Sequence, residues 1–241
     1  MKSLIVLILG VATGAVLALG FLFFSPFSAQ KPLSPISVSE REKVLLRYSA
    51  VAENSIIFTN SGESSVHPFP VKVLQLWEPP IRQTDLLVTV LRDGRNQPAG
   101  IGVKFSSLSE RTRVLEGKAL VDSAWYIHMP GQGSMLIEQS ENHWSFVRDI
   151  VAPAHWSSGD NWRGNWHGTI TDGPGALGTG RVYGGSGRFA GLVSEAVETL
   201  SAKAYSAVTG PVAMEGQLTI ELAVGTDNMD EIERAANALR Q

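Results

Sequence analysis

The chain has 241 residues, with 20 Lys and Arg against 23 Asp and Glu and no cysteine. Lack of thiols excludes disulfides, thiolate metal centres, a cysteine nucleophile and a lipid-modified cysteine. Without residues 1–30, whose only charge is Lys2, 19 basic groups face 23 acidic ones. This balance offers no basic footprint, so no nucleic-acid partner is expected.

From Leu4 to Phe24 the chain runs twenty-one residues without a charge, enough for a helix to cross a hydrocarbon core of about 30 Å. Residues 1–24 are therefore read as a transmembrane anchor or signal segment. The anchor reading is preferred, because a cleaved signal has a shorter apolar stretch and Phe27 spoils the small-residue cleavage pattern before Ala29. Either reading puts the rest of the chain on the extracytoplasmic, periplasmic side, as a single-pass membrane protein or as a secreted one after cleavage. Pro26, Pro32 and Pro35 make residues 25–39 a semi-extended linker. The remaining length suits one domain, over residues 40–225, followed by a C-terminal amphipathic helix over 226–241.

Ser37 or Ser39 followed by Glu40 or Glu42 has the form of a capping box, predicting a short helix over EREKVLLRYSAVAE. From Ser55 short apolar runs separated by turn residues predict strands: SIIFTN, VKVLQLW and DLLVTVL, the last ending at Asp93-Gly94. Ile101, Val103 and Phe105 alternate with Gly102 and Lys104, as in a strand with one buried face. Ser106–Gly117 is charged and reads as a loop or one helical turn. Residues 122–139 form the clearest hairpin, with Trp125, Ile127 and Met129 on one face, a turn at Pro130–Gly133, and Met135 and Ile137 returning. Tyr126, His128, Leu136 and Glu138 take its opposite face. Leu218, Ile220 and Leu222 mark another half-buried strand, and Met229, Ile232, Ala236 and Leu239 behind the Asp227 cap mark the final helix. Many short strands without regular strand-helix alternation predict an antiparallel sandwich or barrel.

Trp156–Gly191 combines three tryptophans with eleven glycines. Its run Gly184-Gly185-Ser186-Gly187-Arg188-Phe189-Ala190-Gly191 does not have dinucleotide-loop spacing, and too little chain follows for a doubly wound sheet. Ser186 is no nucleophile elbow, since GxSxG fails at Arg188. The run GGSGRFAG resembles the glycine-rich strand-turn of the allene oxide cyclase and dirigent barrels. That resemblance covers about ten residues closely and 120–225 loosely, and no catalytic residue carries over with it. It implies an all-β fold, a closed antiparallel β-barrel of about eight strands whose interior is packed or holds one small apolar ligand. With the flanking segments, this gives a barrel with an N-terminal transmembrane helix and a short C-terminal helix. It also implies a strand over LVSEAVETL, where the spacing of Leu192, Val193, Ala196, Val197 and Leu200 alone suits a helix.

Five of the six tryptophans and four of the five histidines lie between residues 125 and 167. The candidate ligand-binding set is Trp156, Trp162, Trp166, His155 and His167, with Trp125 and Tyr126: indoles to stack on an apolar or flat molecule, imidazoles to hold its polar end. The bland alternative is that the tryptophans fill a barrel end and the histidines face solvent. A strand from Trp166 to Thr171 would put Trp166 and His167 on opposite faces. A metal site from His155, Asp160 and His167 has no tight ligand spacing behind it, so neither a metal nor another cofactor is expected. Glu138, Glu141 and His143 could supply an acid-base pair, because a carboxylate pushed into an apolar barrel has its pKa raised. Arg181 and Arg188 could hold a ligand carboxylate or pair with Glu195 or Glu198.

Three functions follow as expectations: a membrane-anchored barrel binding a small hydrophobic or aromatic molecule, an isomerase or cyclase acting on an unsaturated fatty-acid derivative, or an interaction subunit of a membrane complex. Expected partners are the membrane, through the N-terminal helix, and the small molecule; a homo-oligomer or membrane-protein partner is compatible with all three.

Overall fold

A computed structural model describes residues 10–17, 42–51, 57–60, 63–66 and 84–222. The backbone of 84–222 is dominated by antiparallel strands: β4 Thr84–Arg92, β5 Pro98–Leu108, β6 Leu120–Met129, β7 Gly133–Asn142, β8 Asn161–Thr169, β9 Thr171–Gly173, β10 Gly180–Gly187, β11 Val193–Ser206 and β12 Gly210–Glu221. Before them come β1 Lys43–Ser49 and the β2 Ile57–Asn60 and β3 Glu63–Val66 pair, which extends from β4. Pairing follows β1-β12-β11-β10-β7-β6-β5-β4, and Arg47 opposite Arg92 joins β4 back to β1. The result is a ring of eight antiparallel strands, the arrangement that leaves the fewest open edges.

One side of this ring is built differently at its two ends. Val193–Ala196 of β11 pair with β10, whereas Thr199–Ser206 pair with β8. β10 likewise lies against Gly133–Glu138 of β7, and β9 against Ser140 and Glu141. β10 thus completes the wall at one end and β8–β9 at the other. Glu198 sits at the changeover.

The 122–139 hairpin forms as the sequence predicts: Trp125, Ile127, Met129, Met135 and Ile137 are buried with Leu46, Leu91, Val182, Leu218 and Ile220. The glycine-rich run ends β10 and turns the chain over one end of the ring, where Phe189 is 1% exposed. Close approach is the reason for glycine here, since a Cβ on Gly184 would lie 1.4 Å from the Phe189 carbonyl oxygen. Residues 193–206 are a strand despite their local helical spacing, because β12 pairs along nearly all of their length.

Three differences from the sequence reading stand out. Within the helix expected over 40–53, Lys43–Ser49 is instead strand β1, paired with β12 from Lys43 opposite Glu221 to Ser49 opposite Glu215. Leu46 and Tyr48 alternate with exposed Arg47, so strand pairing and period-two burial outweigh a local cap signal. β5 forms, but inside out: Gly102 and Lys104 face the core, while Ile101 and Phe105 are 45% and 47% exposed. Between β7 and β8 lies a helical segment that no periodicity pointed to, Trp144–Phe146, Val147–Val151 and Ala152–Trp156. Residues 10–17 are helical, but among the described residues no helix is long and apolar enough to cross a membrane. The rest of the apolar segment, the 25–39 linker, VKVLQLW and the 226–241 helix lie outside the described residues.

Candidate functional site

The interior of the ring is not uniformly apolar. At its centre Glu198, fully buried, accepts hydrogen bonds from Tyr48 Oη, Lys104 Nζ (2.9 Å), Trp125 Nε1 (3.0 Å) and Gln139 Nε2. Glu141, 1% exposed, accepts from Ser123 Oγ, Gln139 Nε2 (2.9 Å) and Lys104 Nζ (2.7 Å), and its Oε2 lies 2.8 Å from His143 Nε2. One ammonium thus joins two carboxylates within the wall formed by β5, β6, β7 and β11.

Local sequence explains how these groups meet. Alternation turns Lys104, Ser123, Trp125, Gln139 and Glu141 inward on three successive strands. Glycines leave space for the two rings: a Cβ on Gly102 would lie 2.8 Å from the Trp125 indole, and one on Gly216 2.0 Å from Tyr48 Cζ. The rings meet edge to face at 4.9 Å, with Lys104 Nζ 5.4 Å from the indole centroid. At the wall's changeover the Glu198 N–H has no ladder partner and donates to Thr171 Oγ1 (2.7 Å), whose hydroxyl donates to Gln139 Oε1 (3.0 Å). The backbone irregularity and the side-chain cluster are one hydrogen-bonded unit.

Its electrostatics follow from burial and charge. Burial alone would push the Glu141 carboxyl upward, as the sequence reading expects. The Lys104 charge, the His143 hydrogen bond and the His143 charge outweigh it and hold this carboxyl well below the usual carboxylate range. For Lys104, burial works against the charged form, but the two carboxylates win and its pKa is raised. Tyr48 is pushed well upward by burial and then by the Glu198 charge and hydrogen bond. The cluster meets solvent chiefly at His143, 25% exposed; Lys104 is 9% exposed.

The sequence-derived candidates are dispersed. Trp125 faces the interior on Glu198; its neighbour Tyr126 is on the outer face, 46% exposed. Trp156 ends the helical segment, exposed, and Trp162 and Trp166 lie half-buried on β8. Trp166 contacts Phe146 edge-on at 5.6 Å, and Phe146 contacts Tyr205 at 5.7 Å, making an aromatic corner against the core. His155 Nδ1 lies 2.8 Å from the Val151 carbonyl, and His167 Nδ1 2.8 Å from Ser201 Oγ, both exposed. No group of three metal-ligating side chains occurs among the described residues. Of the acid-base candidates, Glu141 and His143 meet, whereas Glu138 points outward. Arg181 stands opposite Glu138 and Glu195 in the sheet, and Arg188 Nη1 donates to Gln132 Oε1 (3.2 Å). Sequence reasoning missed Tyr48, Lys104, Ser123 and Gln139, and it placed Glu198 only as a partner for arginine. The available signal was a lysine between apolar residues on β5, set two from a glycine.

A groove of about 390 Å³ lies behind the cluster, on the outside of the wall, with Phe105, Ala124 and Pro174 as apolar lining and Arg111, Asp122 and Glu138 as polar lining.

No protein-family model matches the chain, and no curated protein matches it. Among solved structures it is similar in outline to the Diels Alderase AbmU from Streptomyces koyangensis, with 11% identity over 83% of this chain and 80% of that one and a TM-score of 0.36. It is similar to the same degree to a nonspecific heme-binding cyclase that catalyzes a cycloaddition in neoabyssomicin biosynthesis, with 10% identity, 85% and 80% coverage and a TM-score of 0.36. The expected resemblance to allene oxide cyclases is not matched by a family model.

Proposed function

We propose that this protein is a small-molecule-binding barrel, tethered to a membrane by its N-terminal apolar segment with the barrel on the extracytoplasmic side. The observation that carries the binding reading is the ionic cluster of Glu198, Lys104 and Glu141 inside a hydrophobic ring, touching solvent through Lys104 and His143. Dehydrating three charged groups costs several kcal/mol each, and apolar side chains of similar volume often stabilise a core as well or better. The cluster is therefore better explained as a polar anchor for one end of a compact, mainly apolar ligand than as a device for stability.

The test is native mass spectrometry of the full chain, released from its own cells in mild detergent. A stoichiometric small-molecule adduct is expected, and Ser106→Trp, at the inward face of β5 two residues beyond Lys104, should abolish it by closing that end. A clean apo mass under conditions that keep the protein folded would refute the reading.

A second reading, an isomerase or cyclase, is favoured by one observation: the Glu141–His143 pair, a buried carboxylate 2.8 Å from a partly exposed imidazole. Such a pair can orient a general base, while the barrel holds an unsaturated substrate in a reactive shape. If ligand identified by mass spectrometry is returned unchanged by wild type and by His143→Ala alike, simple binding stands.

A further inference from the structure

The outside of the wall also carries apolar rows. Val88, Val103, Tyr126, Leu136, Tyr183 and Val193 stand opposite one another across six consecutive strands, β4, β5, β6, β7, β10 and β11. Leu86, Phe105 and Ala124 form a second row on one side, and Val90 and Ile101 a third on the other. Five of these residues are 39% to 73% exposed: Val90, Ile101, Phe105, Tyr126 and Val193. The eleven positions, each about 4.8 Å by roughly 6.8 Å, cover on the order of 300 to 400 Å². A contiguous apolar patch of that size on a monomer is often functional.

We propose that this face is the interface between two copies of the chain, packed about a two-fold axis. Self-complementarity selects this occupant. The β5–β6 loop folds over the same side, held there by Arg111 Nη2 on Asp122 Oδ1 (2.5 Å) and Ser140 Oγ (3.0 Å). Its flanks carry Leu108, Val114 and Leu115 at 74%, 46% and 80% exposure, a projecting apolar tip. Beside that loop lies the 390 Å³ groove walled by Phe105, Ala124 and Pro174. A knob and a hollow side by side are what an isologous contact requires, each copy's tip entering the other's groove. The rows alone do not reach the ~800 Å² per partner of a stable dimer, so the contact has to take in the tip and the groove as well. The flanking charges alternate, Glu138, Arg181 and Glu195 along one row and Arg111 with Asp122 at the end. That balance suits a like copy; an anionic bilayer would favour a surplus of lysine and arginine.

Absence of cysteine makes the test clean. Full-length Tyr126→Cys and, as a control at an exposed position of β11 away from this face, Lys203→Cys are treated in mild detergent with a short bis-maleimide. A covalent species of twice the chain mass is expected for Tyr126→Cys and not for Lys203→Cys. Adding Phe105→Asp, or Leu115→Asp at the loop tip, should weaken association by at least about tenfold, as a charge in an interface core does. Leu115 is too exposed for its loss to unfold the barrel. Equal yields at the two cysteine positions, yields unchanged by both aspartates, or a product containing a different protein would overturn the proposal.

Discussion

β5 shows how differently the two faces of one wall are used. Inward it presents Gly102 and Lys104, outward Ile101, Val103 and Phe105. The opposite wall has the ordinary polarity, with Leu46, Leu218 and Ile220 inside and Arg47, Gln217 and Thr219 outward. Hydrophobic alternation identifies a strand by its period, and period carries no sign. The sign follows from what surrounds β5 inside the ring, here two carboxylates and two rings that need a cation and free space.

The largest effect should come from breaking the inner face. Lys104→Met leaves Glu141 and Glu198 buried without their cation and is expected to destabilise the fold by about 3 to 5 kcal/mol. Combining Lys104→Met with Glu141→Gln and Glu198→Gln removes the uncompensated charge and should recover much of that loss. Urea denaturation at neutral pH measures both; a single substitution costing no more than the triple would show that the ions do not depend on one another.

Next in size is the space the rings need. Gly216→Ala forces a Cβ against Tyr48 and should cost about 1 to 3 kcal/mol through overpacking. Gly94→Ala, where nothing lies within 4 Å, is the control expected to be close to neutral. Indole fluorescence from Trp125, which contacts Tyr48, should shift in the first variant only.

The inner face should also make the protein acid-sensitive. Glu141 has a folded-state pKa below its unfolded value of 4.5, so its contribution to stability is complete above that value and falls away as pH drops below it. Lys104, raised from 10.5, contributes fully below 10.5 and loses its contribution above it. Between about pH 5 and 3 the urea midpoint of wild type should therefore fall more steeply than that of Glu141→Gln. Parallel slopes would dissociate the carboxylate from the acid response.

The smallest effect belongs to the outer face. Ile101→Thr should change monomer stability by about 0.5 kcal/mol or less, since the side chain is half exposed. It should nevertheless lower Tm at high protein concentration more than at low, because a dimer stabilises by mass action. A Tm independent of concentration in wild type would remove the contrast between the faces.

Much of the architecture was legible in the chain. The 122–139 hairpin has buried positions two apart and a Pro-Gly turn between them, both local signals. Glu141 and His143 were also legible as a pair, being two residues apart. Tyr48 and Glu198 were not: 150 residues separate the phenol from its acceptor, and only β1 pairing with β12, and β12 with β11, brings them together. The tryptophans and histidines of 155–167 drew attention by density, but they are split between a helical segment, which ends at Trp156, and β8, where Trp166 and His167 take opposite faces.

Taken alone, the sequence determined the strand periods, the turns, the absence of thiol chemistry and the near-balanced charge, all properties of neighbours along the chain. Tertiary structure decided that EREKVLLRYSAVAE contributes a strand, which face of β5 is inside, and that one lysine neutralises part of two buried carboxylates. These depend on partners far apart in sequence, and the free energy of burying an ion or a ring is set by the groups that surround it.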